Sequence, residues 1–361
     1  MIPDDLRSPA AAYDGGGLAD VLPSVCAALG VPDVVGRLPV PECRRAVVVL
    51  VDGLGDVLLR RRGGHAPFLR SLLATGTTLL SGFPSTTATS MGTFGTGLPP
   101  GAHGMLGYMV MIPGADRLLN ELSWEDGPDP YLWQPRPTLF GEAEAAGVRV
   151  TRTGPGYFDG SGLTNAALRG GSFVAATTLA DRVDATLSAL GRDPRSLAYL
   201  YWGEVDKIGH VRGPDSWQWG AELEAVDGEL RRLADSVPDD TAIVVTADHG
   251  MVTSPLDERI DLAHDAELAA GVRHVGARPA RCSSTASRAP PTTSSPPGRR
   301  DSGRTPGSSH ARRPTRSSAG STPRCSSGSA TSSSPCAAPR PSWTPAPNAT
   351  NCAASSACTA H

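Results

Sequence analysis

The chain has 361 residues, with 33 Lys+Arg against 36 Asp+Glu and a net charge of −3, enough for one large α/β domain or two smaller ones. The charge is unevenly spread: residues 1–276 carry 22 basic and 35 acidic side chains (−13), whereas 277–361 carry 11 Arg and a single acid, Asp301 (+10). An acidic body gives no electrostatic case for nucleic acid.

The elements alternate along the body. Residues 16–30 read as a short helix, with Leu18, Val21, Leu22, Val25 and Leu29 at helical spacing. Arg45–Val51 is a continuous Val-rich run, the pattern of a strand buried on both faces of a parallel sheet. Helical spacing returns over 65–75, and a loop over 83–90 leads to a helix opening near Ser90. A helix over 137–146, a short strand over 148–151, a helix over 179–190 and a strand over 197–202 follow. Residues 217–237 form a long amphipathic helix, and Thr241–Thr246 is again a strand. This alternation predicts an α/β fold with a mostly parallel central sheet flanked by helices. In such sheets ligands bind outside the carboxyl ends of the strands.

Acidic residues stand at that end of three runs: Asp52 in VVVLVDG, Asp206 and His210 in YLYWGEVDKIGH, and Asp248 and His249 in AIVVTADHG. Taken singly, an Asp-Gly is often a turn, and an Asp-x-x-x-His is often a surface ion pair. Together they form a metal-ligand set. Mixed carboxylate and imidazole donors favour zinc or a related transition metal over magnesium. Two clusters suggest two divalent ions about 4 Å apart, the arrangement that clamps attacking and leaving oxygens in phosphoryl transfer. Ser85, Thr86, Thr87, Thr89 and Ser90 form a hydroxyl-rich loop before a helix start. They read either as an N-cap cluster or as the source of a nucleophile, with helix-start amides facing a phosphate oxygen.

Cys26 and Cys43 are the body's two cysteines against five in the tail, which suits a reducing compartment without a disulfide framework. The first residues, MIPDDLRSPAAAYDGGG, lack a basic and apolar leader, and no stretch reaches the roughly 18 apolar residues of a membrane span. These features lead us to expect a cytoplasmic protein.

The order Asp-Gly, Phe-Pro-x-x-Thr, Pro-x-x-His-Gly, Asp-x-x-x-His, Asp-His-Gly resembles the nucleotide pyrophosphatase/phosphodiesterase branch of the alkaline phosphatase superfamily, over roughly residues 45–276. The resemblance implies an alkaline-phosphatase-like fold and hydrolysis of phosphodiester or pyrophosphate bonds in a small phosphate ester or nucleotide. It makes Thr87 the nucleophile, attacking phosphorus in line to give a phospho-threonine that water then hydrolyses. It assigns Asp52, Asp248 and His249, with the Thr87 oxygen, to one zinc, and Asp206 and His210 to the other. Phe83-Pro84, Pro100 and His103-Gly104 match the family's loops. Tyr108 stands where the family often has an Asn that supports a phosphate oxygen, and Asn120 is the nearby substitute. A phosphomonoesterase or phosphonate hydrolase of the same superfamily remains open. The Cys/Ser-x-Pro-x-Arg signature of sulfatases is absent around Thr87.

The family's second zinc takes a further His, from a His-Gly near the C-terminus. His274, His310 and His361 are the downstream candidates, and none precedes Gly. Residues 277–361 contain no Leu, Ile, Val, Met, Phe or Tyr, so as written they read as a disordered, low-complexity Ser/Pro/Ala/Arg tail on a 1–276 hydrolase domain. A frameshift is the sharper reading. The chain holds 32 Arg and one Lys, Lys207, which points to a GC-rich gene. With codons starting one nucleotide earlier, Ser329–Ala338 can encode IGDVVVAVRG, and Cys358-Thr359-Ala360 can encode Leu-His-Gly. The true frame would then be lost near Gly276. A product lacking that ligand would be non-catalytic.

Overall fold

The computed structural model describes residues 12–276, apart from 192–193, 256, 258 and 263, and the backbone of 285–288 and 353–359. The chain divides into two units, residues 1–289 with 349–361 and residues 290–348; the second lies wholly outside the described residues. The division falls thirteen residues past the break in composition.

Eleven strands are described: β1 (Arg45–Val51), β2 (Thr77–Leu80), β3 (Met109–Met111), β4 (Leu118–Asn120), β5 (Arg149–Gly154), β6 (Ser172–Ala175), β7 (Ser196–Trp202), β8 (Thr241–Thr246), β9 (Val272–Gly276), β10 (Thr285–Arg288) and β11 (Ala353–Thr359). Seven form the main sheet in the order β2-β11-β8-β1-β7-β5-β6, and every pairing in it is parallel. β3 pairs with β4 and β9 with β10 as antiparallel ribbons. The expected mostly parallel α/β sheet is therefore present. Of the tail, the two described segments are both strands; the rest of the expectation for 277–361 lies outside the described residues.

β1 explains how the sheet is sandwiched. Ala46, Val48 and Leu50 face one apolar cluster while Val47, Val49 and Val51 face another, and all six are fully buried. Each fully buried valine is worth about 1.5–3 kcal/mol relative to exposure. The first cluster is covered by helices Val21–Ala28, Thr87–Thr96, Leu139–Ala145 and Gly162–Ala167; the second by Asp56–Arg62, Pro67–Leu72, Leu179–Leu190 and Trp217–Ser236. No helix of the described residues is long and apolar enough to cross a membrane.

Helix Thr87–Thr96 departs from expectation. It begins three residues before Ser90, so Thr87 is its first residue. Its sequence, TATSMGTFGT, is small rather than periodic because the helix is approached closely on several sides. A Cβ at Gly95 would lie 1.8 Å from the Ala167 carbonyl oxygen, and one at Gly92 would lie 2.6 Å from the His103 ring. Packing room, not an apolar stripe, decides this helix.

Candidate active site

The carboxyl ends of β1, β7 and β8 bring the acids together. Asp52 follows β1, and its backbone N–H donates to the Trp202 carbonyl at the end of β7 (2.9 Å). Gly53 then turns with φ +73°. A Cβ there would come within 2.9 Å of both Cβ and Oδ1 of Asp206, so glycine is what lets Asp206 approach. The Gly53 N–H also donates to Asp248 Oδ1 (3.1 Å). The Asp-Gly is thus both a turn and a hub of the cluster.

Asp248 and His249 follow β8. Asp248 is fully buried, and its Oδ1 also accepts the His249 N–H at 3.0 Å. Its Oδ2 has no hydrogen-bond partner and lies 3.4 Å from His249 Nε2. Asp52 repeats the pattern. Its Oδ2 accepts the Tyr201 hydroxyl at 2.5 Å, while Oδ1 is without a partner and 3.4 Å from the same Nε2. His249 Nδ1 lies 3.0 Å from the Gly250 carbonyl, which can only accept; Nδ1 therefore donates there, and Nε2 is the ring nitrogen turned to the cluster. Thr87 Oγ1 completes the group at 3.1 Å from Nε2.

Asp206 sits in the first turn of helix Glu204–Arg212, and His210, four residues on, lies with Nε2 3.3 Å from Asp206 Oδ2. Ligand atoms of Asp52, Asp206 and His249 all lie within 4.8 Å of one another. The two sets separated by the sequence reasoning are therefore contiguous, with Asp206 common to both.

Burial, then the facing carboxylates of Asp248 and Asp206, push Asp52 well above the usual carboxylate range, with the Tyr201 hydroxyl opposing. Burial likewise raises Asp248, against the pull of His249 and the Gly53 N–H. Buried acids crowded this way cost stability unless a positive charge joins them. Two unpartnered carboxylate oxygens and an imidazole nitrogen converging on one point fit a divalent cation.

Thr87 stands at the start of its helix. Thr86 is the N-cap by position, yet no side chain caps the first turn; the Thr86 hydroxyl bonds that of Thr89 (3.2 Å). The N-cap reading of the hydroxyl cluster is not realised, and the first turn carries no side-chain cap hydrogen bond. Tyr108 and Asn120 belong to the β3–β4 ribbon and its approach. They are not alternatives but partners: Asn120 Nδ2 donates to the Tyr108 hydroxyl at 3.1 Å, and Asn120 Oδ1 accepts from the N–H groups of Leu122 and Ser123.

Sequence reasoning missed Tyr201 and Gly53's contact with Asp206. Tyr201 lies within an apolar strand and reads there as core. Nothing in YLYW marks which aromatic will reach a carboxylate on the neighbouring strand.

Fold and site together define a parallel α/β protein with a cation-ready cluster at the carboxyl edge of its sheet. Comparison with known proteins narrows this. The chain belongs to the type I phosphodiesterase / nucleotide pyrophosphatase family, whose model matches residues 46–306. It is similar to an uncharacterised pyrophosphatase/phosphodiesterase of Schizosaccharomyces pombe, 28% identical over 220 residues, covering 57% of this chain and 44% of that one. It is also 34% identical over 76 residues to rat ectonucleotide pyrophosphatase/phosphodiesterase family member 7, covering 20% of this chain and 17% of that one. Among solved structures, murine ectonucleotide pyrophosphatase/phosphodiesterase 5, as an inactive variant in complex with AMP, shares the fold with a TM-score of 0.51 at 22% identity, covering 61% of this chain and 60% of that one. The chain therefore spans less than two thirds of the length of each.

Proposed function

We propose that the site in this chain is built to hydrolyse phosphodiester or pyrophosphate bonds in a small phosphate ester or nucleotide, with Thr87 as nucleophile. The observation that carries the reading is the convergence of Thr87 Oγ1, Asp52 Oδ1 and Asp248 Oδ2 on His249 Nε2, within 3.1–3.4 Å. Asp52, Asp248 and His249 would hold one divalent ion and Asp206 and His210 a second, with zinc favoured by the oxygen–nitrogen donor set. Bound there, the ions supply Lewis-acid polarisation of the phosphoryl group and neutralise the charge of its oxygens.

The protein's own part follows from its geometry. Thr87 Oγ1 attacks phosphorus from the N-terminus of a buried helix as its hydroxyl proton passes to solvent, the alkoxide or phosphate leaving group departs opposite, and the substituted phosphoryl group left on Thr87 is then transferred to water, which restores the threonine hydroxyl. First-turn amides of that helix, uncapped by side chains, are placed for phosphate oxygens. The Tyr108–Asn120 pair is our candidate for a further phosphate contact. In keeping with a threonine nucleophile, the inactive murine neighbour is a Thr-to-Ala variant. The test is zinc-dependent hydrolysis of bis(p-nitrophenyl) phosphate against p-nitrophenyl phosphate. Faster diester turnover supports the reading, and monoester preference would move the assignment to a phosphomonoesterase.

A second proposal concerns the C-terminal region. β11 lies between β2 and β8, with Ser355 opposite Val245 and Thr359 opposite Leu80. Its sequence, AASSACT, has none of the large apolar residues that interior parallel strands carry. The place is right for a core strand and the composition is wrong. We infer that the reading frame is lost near Gly276, and that the other frame's Leu-His-Gly would fall at the end of this strand, on the edge that carries Asp52 and Asp248. The chain as written is then a non-catalytic product short of one zinc ligand. Sequencing the other frame of the gene, and assaying the written and restored proteins side by side, tests this. Stops in that frame, or full activity of the written chain, would contradict it.

A further inference from the structure

Tyr201 contacts a proposed metal ligand but belongs to none of the ligand motifs. Its hydroxyl donates to Asp52 Oδ2 at 2.5 Å, whereas Asp52 Oδ1 is left without a hydrogen-bond partner, 3.4 Å from His249 Nε2. The two oxygens of one carboxylate are therefore used differently. One is saturated by a phenol donor and the other is bare and turned to the cluster.

The ring is held for this contact from several sides. It packs against Phe158 with centroids 5.3 Å apart, and the Tyr201 carbonyl accepts Arg182 Nη1 at 2.7 Å, which pins the strand end. Gly203 makes the room. A Cβ there would lie 2.8 Å from the Tyr201 hydroxyl oxygen and 3.0 Å from the ring. The Gly203 backbone is right-handed helical (φ −108°, ψ −4°), so conformation alone does not require glycine. Space for the tyrosine does. The neighbouring Tyr199 shows the contrast: among the described residues its hydroxyl's hydrogen-bond partner is the Met91 sulfur, at 3.8 Å.

We propose that Tyr201 is a positioning residue that holds Asp52 as a one-oxygen metal ligand, by occupying Oδ2 and directing Oδ1 at the ion. This rests on the metal-dependent reading of the site given above. Donors behind a metal-bound carboxylate fix its orientation, and their loss typically lowers metal affinity 10–100-fold. Without the hydroxyl, Asp52 is free to rotate or to offer both oxygens, which changes the coordination number as well as the affinity.

The experiment measures zinc affinity by competition with a chromophoric chelator, and the visible spectrum of the cobalt(II)-loaded protein. The samples are the parent chain, Tyr201→Phe, Gly203→Ala and, as a control, Tyr199→Phe. We expect Tyr201→Phe to bind zinc about 10-fold or more weakly and to give a cobalt spectrum of altered intensity. Gly203→Ala, which keeps the hydroxyl but displaces it, should change both readouts in the same direction, and Tyr199→Phe should match the parent. If Tyr201→Phe and Gly203→Ala bind zinc within twofold of the parent with its cobalt spectrum, the role of Tyr201 is overturned while the metal site stands. If the parent itself binds no zinc, the metal reading falls, and this role with it.

Discussion

Gly53→Ala separates two ways in which a glycine serves a site. At φ +73° an L side chain pays for a left-handed backbone, about 1–2 kcal/mol. The new Cβ would also stand 2.9 Å from Asp206 Cβ and 3.1 Å from its Cα. Those atoms cannot swing away, so the start of helix Glu204–Arg212 must retreat by about half an ångström, at an overpacking cost of roughly 1–3 kcal/mol. Gly160 supplies the control: it has φ +72° and nothing within 4 Å of its would-be Cβ. Gly160→Ala should therefore lose only the backbone share, about 1–2 kcal/mol, and Gly53→Ala about 2–5 kcal/mol. At ~2–4 °C per kcal/mol, calorimetry resolves the difference. Zinc titration adds a second readout, since only Gly53→Ala displaces Asp206. Equal melting shifts in the two variants, with zinc affinity unchanged in Gly53→Ala, would refute the argument that Gly53 makes room for a ligand.

Two pH effects follow from buried groups away from the cluster. His103 is held neutral by burial, with its pKa lowered from 6.5 to about 4, between the Thr93 hydroxyl and the Met105 N–H. The unfolded chain takes up a proton below pH 6.5 that the folded chain refuses, so stability falls as pH drops from 6.5 towards 4, by up to about 3 kcal/mol. NMR should find the His103 ring still neutral at pH 5, and a titration near 6.5 would contradict its burial. Glu121, fully buried, is raised from 4.5 to about 7 by burial, against the Trp133 indole N–H and the Gly107 N–H that donate to it. Here the folded chain keeps a proton that the unfolded chain releases, so stability falls as pH rises from 4.5 to 7. Glu121→Gln should flatten urea-unfolding stability between pH 5 and 8; the parent's slope persisting in the variant would show that another group causes it.

The parts of the fold that were legible in the sequence are those governed by one strong pattern. Arg45–Val51 and Thr241–Thr246 are runs rich in β-branched residues, and Leu179–Leu190 carries helical spacing behind a Thr178/Asp181 capping box; all three occur with the expected boundaries. The short strands Thr77–Leu80 and Ser172–Ala175 were not legible, because four residues, buried at one end in the first and largely exposed in the second, have no periodicity to read. The start of helix Thr87–Thr96 was misplaced because Gly92 and Gly95 were selected by neighbours distant in sequence. At the site, residue types identified Asp52, Asp206, His210, Asp248 and His249, since strand ends and topology place them on one edge. The oxygen of Asp52 that faces the cluster was not legible, because Tyr201, a strand away, decides it.

The nucleophile is most directly tested by acid-quenched mass spectrometry of the frame-restored protein turning over bis(p-nitrophenyl) phosphate with zinc. Attack by Thr87 Oγ1 releases p-nitrophenolate and leaves a p-nitrophenylphosphoryl group on the threonine. The adduct should appear on the peptide containing Thr87. It should be absent from Thr87→Ala, whose kcat/KM should fall on the order of a thousandfold or more. An adduct on a different residue, or no adduct together with parent-level turnover by Thr87→Ala, would contradict the assignment.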